Sequence, residues 1–289
     1  MSAPALWGVG ILVDRYVLFN RLMDYISYDI FTIWLSLAYV VLVILTVRVS
    51  FAFDAYFIGT AVGVLYAMLF ILYDYGMMKK EATDVSSIIY INPLFVAVLS
   101  WVFLKETLDP VNYLGIVLLT LSAIVVSYRR ITRRDIALLY VFIFALGVSI
   151  GRVVGKSVLG DVDVWSYLFW VTIGNNIGAI ILTVLPLRGR QLRFSITSQT
   201  RRSLSIIVLG SVAGFVGYVL FYKALSLGSV TVASGITALL PSYVLVYSSL
   251  ILLLKPNSIS GGARDKSVLL RRLAAVLLIA AGTWALVAA

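Results

Sequence analysis

Long apolar runs alternate with short charged segments along the whole chain. A helix that crosses a bilayer needs about twenty mostly apolar residues. Runs of that kind fall near residues 3–21, 30–47, 55–77, 84–104, 111–128, 136–156, 164–186, 203–225, 229–254 and 271–288. The pattern predicts an all-α, polytopic membrane protein with ten transmembrane helices, joined mostly by connections too short for a soluble domain. The longest connection, Leu187–Arg202, is rich in arginine, serine and threonine and reads as a solvated loop. No basic stretch precedes the run at 3–21, and Asp14-Arg15 interrupts it, so it reads as a retained first helix rather than a signal peptide.

Composition agrees with this picture and narrows the chemistry. Hydrophobic residues make up 62% of 289 positions, charged residues only 12%, and the mean hydropathy is +1.04. The chain has no histidine and no cysteine. Zinc sites, thiol nucleophiles and Ser-His pairs are therefore excluded, and neither a catalytic centre, a metal site nor a cofactor is expected. The net charge of +10 sits in the connections, where lipid headgroups are the expected partner and nucleic acid is not. Of the 23 lysines and arginines, most fall in one set of alternating loops, notably 129–134, 187–202 and 255–272. The opposite set has Arg48, Lys105 and Lys156. By the positive-inside rule the basic set is cytoplasmic and both termini lie outside the cell membrane.

Ten spans invite a comparison of the two halves. With Pro93 placed on Pro241, TDVSSIIYINPLFVAVLS lies on TVASGITALLPSYVLVYS without a gap. Thr83 then meets Thr231, Ser86 meets Ser234 and Ser100 meets Ser248. The first helices match through Gly10-x4-Arg15 and Gly147-x4-Arg152, and GTAVG at 59–63 answers GSVAG at 210–214. Two five-helix repeats are expected, 1–130 and 131–289. Five is odd, so the second enters the membrane from the opposite side and the repeats are inverted.

These features resemble the drug/metabolite transporters of the EamA type, and the resemblance spans nearly the whole chain. Trp7-Gly8 followed by Arg15 matches the family's first-helix pattern. Ala82, Ser86, Pro93, the run to Glu106 and then Gly115 match its fourth-to-fifth helix pattern. In the second half the match continues through Ala224-Leu225 and Pro241, but Lys255-Pro256 stands where a glutamate would. The resemblance implies ten helices in two repeats and a carrier of small metabolites, many of them amino acids. It also implies a cytoplasmic start, opposite to the loop charges of this chain.

A proline-broken helix in a membrane persists only where protein or a wet cavity satisfies the freed backbone groups. Two such breaks, at Pro93 and Pro241, point to a site between the halves, although a kink can also serve packing alone. Ionisable groups within spans usually face a cavity or a partner, unless they lie near enough to an end to snorkel. Arg15, Asp74, Arg152 and Lys223 are the candidates, with Lys156 and Asp14 beside them. Tyr66, Tyr90, Tyr218 and Tyr222 offer amphipathic walls, and Asn92 and Asn175 offer amide donors and acceptors. The surplus of cations suits a small-molecule substrate bearing a carboxylate, with a phosphorylated or nucleotide-linked metabolite as the alternative. A lipid-acting enzyme would need a Ser-Lys or paired-carboxylate centre, for which no spacing is compelling. Small-residue steps permit close helix packing, and a homodimer is compatible with them.

Overall fold

The computed structural model describes residues 2–80, 85, 88–127, 136–184, 188–240, 242–244, 246–247, 250, 274 and 277–286. Pro241 and the basic segments 129–134 and 255–272 lie outside them. Among the described residues there are helices and no strands.

Helix α1 covers Ser2–Phe19. The chain then turns through Arg21, whose φ of 51° is left-handed. Asp24 opens α2, Tyr25–Leu35, by accepting the backbone N–H of Ser27 at 3.1 Å. Ser36 interrupts the helix, its hydroxyl donating to the Ile33 carbonyl, and α3 resumes at Leu37–Thr46. Together α2 and α3 form one apolar span, Tyr25–Thr46. Next come α4, Phe53–Lys79, α5, Asn92–Leu99, and α6, Pro110–Ser127. The second half contributes α7, Ile136–Val158, α8, Val164–Val184, α9, Arg188–Thr197, α10, Arg201–Leu227, and α11, Val230–Thr237. The last is α12, Leu277–Leu286.

Five of these helical segments are long and apolar enough to cross a membrane: Tyr25–Thr46, α4, α7, α8 and α10. Shorter apolar helices accompany them. Their outward faces are greasy. On α3, Val41, Leu42, Ile44 and Leu45 are all exposed, Leu45 by 77%, a surface that suits lipid and would be costly in water.

Glycines decide how closely the long helices approach. On α4, Gly59 and Gly63 face α8, where Gly174 and Gly178 sit one turn apart. A Cβ on Gly63 would lie 2.1 Å from the Val171 carbonyl oxygen, and one on Gly174 would lie 2.1 Å from that of Thr60. Backbone therefore meets backbone along this seam. A second stripe on α7, Gly147, Gly151 and Gly155, accepts side chains instead. Leu69, Tyr66 and Tyr167 fill the places that its Cβ atoms would occupy.

The expected break at Pro93 is present. Tyr90 and Ile91 form a turn, and Asn92-Pro93 starts a new helix, where a proline without an N–H costs nothing. Leu94 and Phe95 both donate to the Ile91 carbonyl, at 3.0 and 3.3 Å. The second half repeats this wiring. Ser242 and Tyr243 both donate to the Leu239 carbonyl, at 3.0 and 3.4 Å. The two broken segments touch through Ser100 and Thr231, whose hydroxyls are 2.6 Å apart. At Ser100 α5 loosens into a π-helical turn, Ser100–Leu104, which ends at Lys105 with a left-handed φ of 53°.

One connection differs from expectation. Within Leu187–Arg202 the chain forms α9, because Leu192, Ser195 and Ile196 share one helical face. That face packs on α2 and α8, and Ser195 donates to the Asp24 carboxylate at 3.1 Å. Phe194 and the neighbouring arginines Arg190 and Arg193 stay exposed.

Candidate functional site

One group of interior polar side chains gathers between α4, α5, α7 and α10. Tyr66 of α4 and Tyr222 of α10 are fully buried, and their hydroxyls lie 3.0 Å apart. Tyr218, one turn before Tyr222, donates to the same hydroxyl at 3.4 Å and meets Tyr66 edge to face. Tyr167 of α8 closes the group, its ring centroid 5.4 Å from that of Tyr222. The glycine stripe of α7 makes this possible: a Cβ at Gly151 would collide with Tyr66, and one at Gly155 with Tyr167.

Arg152 projects from α7 beside these tyrosines. Its guanidinium lies 4.5 Å from the Phe221 ring and 5.7 Å from the Trp7 ring. Its Nη1 donates to Asn92 Oδ1 at 2.5 Å. The other end of the Asn92 amide is equally committed, because Nδ2 donates to the Ala145 carbonyl at 3.0 Å and to Ser149 Oγ at 2.7 Å. Both acceptors belong to α7, and they fix which way the amide points. The first residue of broken helix α5 is thus fastened to α7 at three points. Trp7 is itself oriented by a 3.1 Å bond from its indole N–H to the Gly214 carbonyl.

Asn92, Arg152, Tyr66, Tyr218 and Tyr222 therefore meet, with Pro93 buried next to Asn92. Tyr90 is buried at the turn before the break. Asn175 of α8 lies on the glycine seam, and its side-chain Oδ1 is buried without a hydrogen bond. Lys223 is exposed on α10. Arg15 reaches the end of α4, donating to the carbonyls of Met77 and Lys80 at 2.9 and 2.5 Å. Lys156 does the same for α10, donating to Leu225 and Gly228, each at 2.7 Å. The shift that sets Pro93 on Pro241 also sets Met77 on Leu225 and Lys80 on Gly228. Each half thus ends its long third helix on a cation from its first, where the helix dipole and unpaired carbonyls favour positive charge.

A separate acidic group lies where α1, α2 and α4 meet. Asp14 accepts from Tyr28 at 2.5 Å and from Tyr73 at 3.0 Å. Asp74 and Asp29 are both buried. Asp29, Ser149 and Tyr167 escape sequence reasoning. Only Tyr167 has a signal, and it is indirect: Gly155 vacates space on α7 that an aromatic residue then fills.

The sequence and the fold each have known counterparts. The model of the EamA-like transporter family matches the chain twice, over residues 1–128 and 135–261. No curated protein matches it. A solved structure titled only "Crystal structure of protein" is similar over 98% of both chains, with a TM-score of 0.67 and 14% identity, which extends the likeness to the fold alone. The family match covers both halves of a helical chain with several membrane-crossing segments and a polar centre. This multi-pass membrane protein, a transporter of small molecules, belongs to the EamA-like transporter family.

Proposed function

We propose that the protein is a secondary transporter of a small organic metabolite with a carboxylate, an amino acid or a close relative, bound where Arg152 meets Tyr66, Tyr218 and Tyr222. The observation that carries this reading is the setting of Arg152. A cation is kept within a membrane span, between aromatic rings, and hydrogen-bonded to a neutral amide. Such a group is expensive in hydrocarbon and is retained for a partner. A carboxylate offers two oxygens to the guanidinium fork, and the tyrosine hydroxyls supply donors and acceptors for the rest of an amino acid. A phosphorylated substrate would call for a second cation nearby, and Lys223 is exposed instead.

In this reading ten spans form two inverted halves, 1–130 and 131–289, which rock to open the site to either face in turn. The matched breaks at Ile91 and Leu239 and the matched helix ends at Lys80 and Gly228 support that symmetry. The basic loops face the cytoplasm and both termini the outside, which reporter fusions at each end would check. Binding a solute and moving it requires no bond to be made or broken, so the protein acts as a carrier rather than a catalyst.

The decisive experiment is uptake of labelled amino acids by proteoliposomes containing the purified protein. Transport above empty liposomes is expected, and Arg152→Gln should reduce it at least about tenfold, as expected for loss of a charge-assisted contact. Equal transport by Arg152→Gln and wild type would sink the assignment of this residue.

A further inference from the structure

Building on this assignment of Arg152, we infer that Asn92 is a built-in placeholder for the substrate's carboxylate and thereby sets the charge selectivity of the site. Three observations lead there. First, Asn92 Oδ1 occupies the guanidinium at 2.5 Å, as a substrate oxygen would. Second, this contact is not needed to hold Asn92, because its Nδ2 is independently tied to Ala145 and Ser149 of α7. The amide oxygen is presented to Arg152 by a mount that stays in place when the contact opens. Third, the acceptor is neutral. A carboxylate there would form a full ion pair with Arg152, which in a low-dielectric site an incoming carboxylate could displace only at high cost. An amide caps the guanidinium well enough to keep it ordered and weakly enough to yield.

The placeholder also links occupancy to the broken helix. Asn92 is the first residue of α5 and immediately precedes Pro93, so exchange of its oxygen for a substrate oxygen releases one of three ties between the start of α5 and α7. The remaining two ties belong to the amide nitrogen. Asn92→Asp, which removes those donors and adds a charge, changes the site most, and Asn92→Ala removes the placeholder without substituting another.

The test is thermal unfolding of the purified full-length protein, titrated with L-amino acids and, in parallel, with their carboxamides, since a ligand that binds the folded state raises the melting temperature. Wild type should be stabilised by acids and not by carboxamides. Asn92→Asp should bind the acids at least about tenfold more weakly, an effect of internal ion-pair competition. Asn92→Ala, in contrast, should keep acid binding and begin to admit carboxamides, because no internal amide is left for them to displace. If Arg152→Gln loses the acids while Asn92→Asp binds them as wild type does, the placeholder is overturned and the role of Arg152 stands. If wild type responds equally to acids and carboxamides, or to neither, both fall. Should Asn92→Asp fold poorly, Asn92→Ala still decides: loss of acid binding there overturns the placeholder, because removing a competitor cannot weaken its rival.

Discussion

At the scale of single residues, the interior owes its character to tyrosine. Four of its largest fully buried side chains are Tyr66, Tyr90, Tyr167 and Tyr222, where a membrane protein could have used leucine or phenylalanine. A buried phenol adds area and one hydroxyl that must find a partner. The Tyr222 hydroxyl serves both Tyr66 and Tyr218, so Tyr222→Phe takes that partner from two phenols and should cost about 1–3 kcal/mol of stability. Unfolding in detergent would measure it, while transport should fall further than stability if the hydroxyl faces substrate. Much of this centre was legible, because Asn92, Arg152 and the tyrosines of α4 and α10 are polar letters inside apolar runs. Arg15 and Lys223 are just as conspicuous, yet one reaches carbonyls at the end of α4 and the other is exposed. Sequence shows that a charge lies within a span; it does not show the direction of a side chain long enough to reach the next helix end. Tyr167 was illegible for a related reason, since a tyrosine near a helix start reads equally well as an interfacial anchor.

At the scale of elements, the glycine seam between α4 and α8 makes the sharpest demand. Gly63→Leu or Gly174→Leu would place side-chain atoms where the facing backbone already lies, and neither helix can yield without losing the rest of its packing. Both variants should fail to give a monodisperse protein on size-exclusion chromatography. Gly214→Ala serves as the comparison: a Cβ there meets nothing within 4 Å, and removing a helical glycine should stabilise by about 0.5–1 kcal/mol. The cation at the end of α10 invites a quantitative test. Lys156→Ala leaves the carbonyls of Leu225 and Gly228 without their donor and should lower stability by about 1–2 kcal/mol, read from the same unfolding assay. The bounds of α4, α6, α7, α8 and α10 follow closely from hydropathy because those runs end at charged or turn-forming residues. The runs near 30–47 and 84–104 are instead interrupted, at Ser36 and before Asn92. Helix α9 was hidden by composition. Its packed face holds only two apolar residues, Leu192 and Ile196, beside Ser195 and is interleaved with arginine, so a hydropathy window averages it away.

At the scale of the molecule, the repeated details matter more than the repeated letters. Ile91 and Leu239 accept the same pair of hydrogen bonds, although neither residue is part of a distinctive motif. The halves share a backbone plan, and their chemistry diverges where Asn92 has Leu240 for a counterpart. The crossing of Ser100 and Thr231 offers a handle on motion between them. Because the chain has no cysteine, a Ser100→Cys, Thr231→Cys pair supplies the only thiols, in side chains already close enough to bridge. Oxidation should form the cross-link and stop transport reversibly, with reductant restoring it. Undiminished transport in the cross-linked protein would mean that this crossing does not open during the cycle.

The seam of α4 and α8 joins one half to the other, and its geometry limits how they can move. With carbonyls of one helix nested against glycines of the next, a slide along the seam must lift one ridge over another, whereas a small swivel about it leaves the nested atoms nearly where they were. Under the proposed rocking the stripe is a fulcrum: displacement would be least there and grow with distance from it, so that a few degrees at the glycines become ångströms at the far ends of the helices.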